Sequence, residues 1–194
     1  GRPSVDPEVV VRLFILQALE GIRSVRELMN EVQVNLAYRW FIGYRVDEPL
    51  PDHSSLSRAL DRFGDELFDR LFTESIAQCQ RKGLIEGRVL HLDATTIRAD
   101  LSVDRVGRAD SADQDARFGR GPGGTSIPSY KQQTVVDQKA RVIVAVDVMP
   151  GNAHDHQRAI ETIDQAIDHM GQVPEAVCAD RAYGNGVNAA AMEQ

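Results

Sequence analysis

The pattern of apolar and polar positions changes character at Gly87. Before it, apolar residues recur three and four apart, the period of helices with one buried face. Asp6-Pro7 predicts an N-cap with proline in the first turn; the helix runs through Leu13, Phe14 and Leu19 and stops at Gly21. Ser24 and Glu27 have capping-box spacing and open a second helix, with Leu28 and Val32 on its buried side. Leu36 to Gly43 predicts a short helix carrying the only tryptophan, Trp40. After a loop at Pro49-Leu50-Pro51-Asp52, Ser54 predicts the cap of a helix to about Arg62, and Gly64 a break. Asp65 to Lys82 reads as a long amphipathic helix, with Leu67, Leu71 and Ile76 inward and Gly83 as its stop.

Beyond Gly87 the apolar runs are short, as strands require. Arg88 to Asp93 predicts a buried strand. Thr96 to Pro128, polar and rich in Gly, Asp and Arg, predicts a long mobile loop. Its Gly119 to Gly124 stretch lacks the Gly-Lys-Ser/Thr ending of a phosphate loop. Tyr130–Asp137 and Arg141–Val148 form a hairpin turned at Gln138-Lys139-Ala140. A helix from about Asp155 to Met170, a strand at Ala176–Ala179 and a helical piece from Val187 follow. This order suits a mixed sheet whose first and fourth strands are neighbours in its middle.

Those two strands each end on an aspartate, Asp93 and Asp180. A carboxylate at the end of a buried strand is costly unless it is paired or holds a cation. Two on rigid strands are the hard oxygen ligands that Mg²⁺ uses in phosphodiester chemistry. The alternative is a pair of strand-terminal caps or ion-pair partners.

Composition narrows the choice only a little. The 42% hydrophobic and 26% charged content is ordinary for a soluble globular protein. No stretch approaches the roughly 20 apolar residues of a membrane span; Val9 to Leu19 is interrupted by Arg12 and Gln17. The chain begins with Gly and carries no signal peptide, which leads us to expect a fragment of a cytoplasmic protein that has no membrane partner. Cys79 and Cys178 lack ligand partners at short spacing and read as reduced core residues. The net charge of −7 argues against wholesale coating of nucleic acid but leaves room for a local basic face.

Other candidates carry two readings each. Thr95 and Thr96 could orient Asp93, or be β-branched residues at a strand end. His154-Asp155-His156 could ligate metal, or be a structural turn in which Asp155 caps the next helix and His154 neighbours the site. Lys131 heads a strand expected beside Asp93 and could reach a DNA phosphate. Arg98 and Arg181 are either phosphate contacts or solvated arginines. Ser54 to Arg62 could be a recognition helix offering Ser55, Ser57, Arg58 and Arg62 to DNA, or a bundle helix with a polar outer face.

Five segments, in order, resemble bacterial insertion-sequence transposases with an acidic-triad (DDE) core. They are Asn35-Leu36-Ala37-Tyr38-Arg39-Trp40, Pro51 to Arg58, Leu92-Asp93-Ala94-Thr95, Pro150-Gly151-Asn152-Ala153-His154-Asp155 and Ala179-Asp180-Arg181-Ala182-Tyr183. The likeness spans nearly the whole chain except Asp100 to Pro128.

The resemblance implies an α+β protein: an N-terminal all-α domain (1–86) that binds DNA, then part of a ribonuclease H-like mixed α/β sheet (87–194) with an insertion at 97–128. It implies two Mg²⁺ or Mn²⁺ ions on the triad, cleavage at transposon ends, and strand transfer of the freed 3′-OH. Asp93 and Asp180 occupy the first two triad positions. The third, a glutamate on a later helix, is expected beyond Gln194, because Glu193 follows Asp180 too soon. Terminal inverted repeats and target DNA are the implied partners, engaged by a homodimer or larger synaptic complex. A truncated product that binds terminal repeats without cutting is the alternative. Family members often carry histidine at the position of Gln133, so its role does not transfer.

Overall fold

Caps set the helices before packing does. In the computed structural model, which describes residues 5–108, 111 and 113–184, α1 (Pro7–Glu20) begins where the Asp6 carboxylate accepts from Glu8 N. It ends at Gly21, whose φ of 63° belongs to the left-handed region that glycine enters without strain. In α2 (Val25–Val34), Ser24 Oγ accepts from Glu27 N at 3.2 Å, as the capping-box spacing requires. Asn35, not foreseen as a cap, accepts from Ala37 N and Tyr38 N to start α3 (Leu36–Phe41). For α4 (His53–Arg81) the cap is Asp52 rather than Ser54, accepting from Ser54 N at 2.8 Å. Gly64 interrupts α4 with φ 60° and ψ −169°.

Leu13, Leu16, Leu28, Val32, Ile42 and Leu56 form the core of the helical part. Arg39 is buried beside it and donates to the carbonyls of Arg45 and Glu48, pinning the loop before α4. Trp40 is 80% exposed.

The chain divides into two compact units, 1–70 and 71–194. This division falls earlier than the sequence boundary at Glu86, because Phe72, Ile76 and Cys79 at the end of α4 pack into the core of the second unit.

That second unit is built on a five-stranded mixed sheet. Its strands are β1 (Val89–Arg98), β2 (Arg117–Arg120), β3 (Ser126–Asp137), β4 (Ile143–Pro150) and β5 (Ala176–Ala179). β1 lies between β3, antiparallel, and β5, parallel. β2 and β4 pair with successive parts of the other edge of β3, both antiparallel. The main order β4-β3-β1-β5 is the ribonuclease H-like arrangement. α5 (Ala159–Met170) covers one face, setting Ala159, Ile163, Ala166 and Met170 against Leu90, Leu92, Val135 and Val144.

Several expectations change here. β1 runs on to Arg98 and is half-buried rather than buried: Leu90 and Leu92 are covered, whereas His91 and Asp93 are exposed. Only the α5 side of the strand has a covering layer among the described residues. The expected mobile loop at 97–128 contains structure: the end of β1, two 3₁₀ turns (Val103–Arg105, Pro122–Gly124), β2 and the first residues of β3. Close packing explains why β2 can lie there. A Cβ on Gly119 would come to 2.5 Å from the Gly151 carbonyl oxygen, and one on Gly151 to 2.8 Å from the Arg117 carbonyl oxygen, so β2 and the turn after β4 approach this closely only with glycine at both positions.

The helix expected from about Asp155 starts at Ala159, with no side-chain cap. Cys178 is exposed rather than in the core, since it shares the face of His91. The helical piece from Val187 lies outside the described residues. No described helix is long and apolar enough to cross a membrane.

Candidate functional site

The parallel ladder between β1 and β5 ends at the pair Leu92–Ala179. The next residue on each strand is an aspartate, Asp93 on one and Asp180 on the other. Register partners on neighbouring strands present side chains to the same face. The preceding pair on that face, His91 and Cys178, is exposed, and so are both aspartates. Asp93 therefore sits within β1, not at its end, but at the point where the parallel pairing stops.

Backbone amides orient both carboxylates. Asp93 Oδ1 accepts from Ala94 N at 2.8 Å. Asp180 Oδ1 accepts from Ala182 N at 2.8 Å, capping the 3₁₀ turn Arg181–Tyr183. Thr95, two residues after Asp93, is exposed on the same face, and Thr96 is exposed on the other. Among the described residues neither aspartate has a cationic partner, so the ion-pair alternative finds no support there. Two exposed carboxylates side by side are a donor set that suits a hard divalent ion. Among the described residues, however, no group of three or more metal-ligating side chains is assembled.

Sequence reasoning missed the polar layer beneath this point. Tyr183 is 3% exposed and belongs to the core of the sheet. Burial, then the negative charge of Asp155, Asp93 and Asp180 in that order, raises its phenol well above the ordinary range. Gln133 is itself fully buried, its Nε2 donating to the Asp155 carbonyl and its Oε1 accepting from Thr162 Oγ1 at 3.0 Å. A signal was available, since Gln133 alternates in phase with the core residue Val135.

The remaining candidates separate. Lys131 is turned inward, 2.5 Å from Asp155 Oδ1 and donating to the Ala153 carbonyl at 2.8 Å, so its ammonium is engaged within the fold. Asp155 consequently serves as that partner and not as a helix cap. His154 is exposed and stacks on His156, ring centres 5.6 Å apart. Arg98 is exposed at the end of β1, its position two-residue-periodic with Ala94 and so on the face opposite Asp93. Arg181 is exposed directly after Asp180. In the helical unit, Arg58 and Arg62 are exposed, and Ser55 is half-buried. The spacing of Ser55, Arg58 and Arg62 puts them on one helix face, with the Arg58 guanidinium 3.3 Å from Ser54 and Ser55 Oγ.

Comparison with known families adds the decisive observation. Residues 85–194 match the model described as Transposase DDE domain, and residues 1–62 match Transposase domain (DUF772). The chain belongs to the DDE transposase family. Among solved structures, it is similar to the Mos1 transposase paired-end complex with left transposon end, at 14% identity and TM-score 0.33, over 100% of this chain and 59% of that one. A pre-cleavage Mos1 transpososome (13%, TM-score 0.33, 100% and 59%) and the Mos1 mariner paired end complex with Mn (13%, TM-score 0.31, 100% and 58%) are also similar. The chain thus spans less than two thirds of these relatives. Among curated proteins no match is found.

Proposed function

We propose that the chain is part of a DNA transposase that cuts at transposon ends and joins the freed 3′-OH to target DNA. The observation that carries this reading is the placement of Asp93 and Asp180 at the same level of neighbouring parallel strands, one residue past the pair Leu92–Ala179.

Asp93 and Asp180 would hold Mg²⁺ or Mn²⁺, with a further carboxylate completing the triad as the family resemblance implies. Bound divalent ions would supply Lewis acidity toward the scissile phosphate and a more acidic attacking water or hydroxyl. The chain's own part is to fix the ligands: the Ala94 and Ala182 amides each hold one carboxylate oxygen, so little ordering remains when an ion arrives. Arg181, next to Asp180 and exposed, is suited to a DNA phosphate, and Arg98 could contact the backbone along the other face of the β1 extension. Ser55, Arg58 and Arg62 give the helical unit one polar, basic stripe for terminal-repeat DNA. Assembly as a dimer or larger synaptic complex belongs to the same reading.

The test replaces Asp93 or Asp180 by Asn in the full-length protein. Mg²⁺-dependent end cleavage should be lost while DNA binding persists. Undiminished cleavage by either variant overturns the assignment.

A further inference from the structure

We propose that a cavity between α2 and the loop leading into α4 is a binding site for an unpaired guanine of the DNA. The inference rests on the reading of the helical unit as DNA-binding.

The cavity measures about 520 Å³, inside the range of roughly 300–1,000 Å³ that small-molecule sites occupy. Asn30 and Gln33 of α2 line it, together with Arg39, the loop from Val46 to Asp52, and His53 at the start of α4. Arg39 sets its chemistry. The residue is 6% exposed, yet its guanidinium forms no ion pair among the described residues. Nε and Nη2 donate to the Arg45 and Glu48 carbonyls, whereas Nη1 donates to no described residue. An enclosed guanidinium keeps its charge and wants an acceptor for each N–H, so its remaining donors favour a ligand oxygen or ring nitrogen.

The charge of the wall argues against a bare phosphate there. Asp47, Glu48 and Asp52 also line the cavity, and they outnumber Arg39 and His53. A neutral ligand with acceptors on one edge and donors on another meets both kinds of group. Guanine has that form: O6 and N7 accept from a guanidinium, while N1–H and the N2 amino group donate. Glu48 suits the donor edge, because Oε2 accepts from Arg45 N at 3.2 Å and Oε1 meets no donor among the described residues. Adenine would turn its N6 amino group toward Arg39, and pyrimidines lack N7. Pro49 and Pro51 add apolar wall for the ring faces.

The entrance suits the phosphate that a base brings with it. Arg26 is exposed and places Nη2 3.5 Å from His53 Nε2. Arg58, also exposed, lies between one and two turns further along α4. The DNA backbone can follow these cations while one base turns inward, a step that costs least for an unpaired base.

The experiment measures fluorescence anisotropy of labelled single strands with the full-length protein. The strands are thymidine runs carrying one central dG, dA, dT or abasic nucleotide; the variants are Glu48→Gln and Arg39→Lys. Wild type should bind the dG strand about tenfold tighter than the others, the discrimination one bidentate arginine–guanine contact supplies. Both variants should bring the dG strand down to the affinity of the rest. Equal wild-type affinity for the dG and abasic strands overturns the inference and leaves DNA binding by the helical unit standing. A full dG preference in Glu48→Gln also overturns it, and decides alone if Arg39→Lys does not fold, since Glu48 is exposed. No binding of any strand is a different failure, which removes the DNA-binding reading and this inference with it.

Discussion

Lys131 Nζ lies 2.5 Å from Asp155 Oδ1, tying the middle of β3 to the turn that follows β4. The lysine side chain is 18% exposed and the aspartate 35%, so solvent screens the pair only in part. A cation held this way stabilises the fold rather than waiting for a phosphate.

Lys131→Met should therefore lower stability by about 1–2 kcal/mol, since it leaves the Asp155 carboxylate and the Ala153 carbonyl without their donor. A shifted urea midpoint at constant slope is the measurement. The salt dependence of DNA binding should stay unchanged, whereas a lysine on phosphate would lower that slope by about 1. A reduced slope would return Lys131 to the DNA-contact reading.

Asp137 is a fully buried carboxylate with a defined task. Its oxygens accept from Gly87 N at 2.8 Å, Lys139 N at 3.0 Å and Glu86 N at 3.3 Å, clamping the β3–β4 turn to the segment entering β1. Asp137→Ala strands these amides in a fully buried place and should cost about 2–4 kcal/mol. Asp137→Asn keeps one acceptor and should cost less. Equal stability of Asp137→Ala and wild type in urea melts would show that the clamp holds nothing.

The Tyr130 hydroxyl donates to Asp113 Oδ1 and fastens part of the insertion to β3. That bond, ahead of the backbone amides of Ala116 and Asp115, lowers the Asp113 pKa against the opposing effect of burial. Burial, then the bond and the charge of Asp113, pushes Tyr130 up to about 12 from 10.0. The depressed carboxylate contributes stability that is present above its unfolded value of 3.8 and lost as pH falls. The raised phenol contributes stability that is present below 10.0 and lost as pH rises toward about 12. Tyr130→Phe should flatten both limbs of the stability profile. Identical profiles for variant and wild type, by thermal melts from acid to alkaline pH, would contradict the pairing.

Local chemistry was legible where it acts over a few residues. Asp6, Ser24, Gly21 and Gly64 announced helix starts, a stop and a break because caps and left-handed glycines need no distant partner. The start of α5 was misplaced for the opposite reason. Asp155 has the chemistry of a cap, but a lysine 24 positions earlier in the chain claims its carboxylate. Gly119, expected in a mobile loop, and Gly151 serve a close backbone approach that only the folded chain creates.

By itself, the sequence determined that helices precede a mixed sheet and that two apolar strands lead to Asp93 and Asp180, since side-chain period and turn chemistry are written residue by residue. Tertiary structure alone decided the register that brings the two aspartates to one level of those neighbouring strands, the inward turn of Lys131, and the burial of Tyr183 and Gln133. Those facts depend on contacts between residues tens of positions apart. Strand alternation marks Gln133 as facing the core, but no local pattern encodes which distant groups will enclose it.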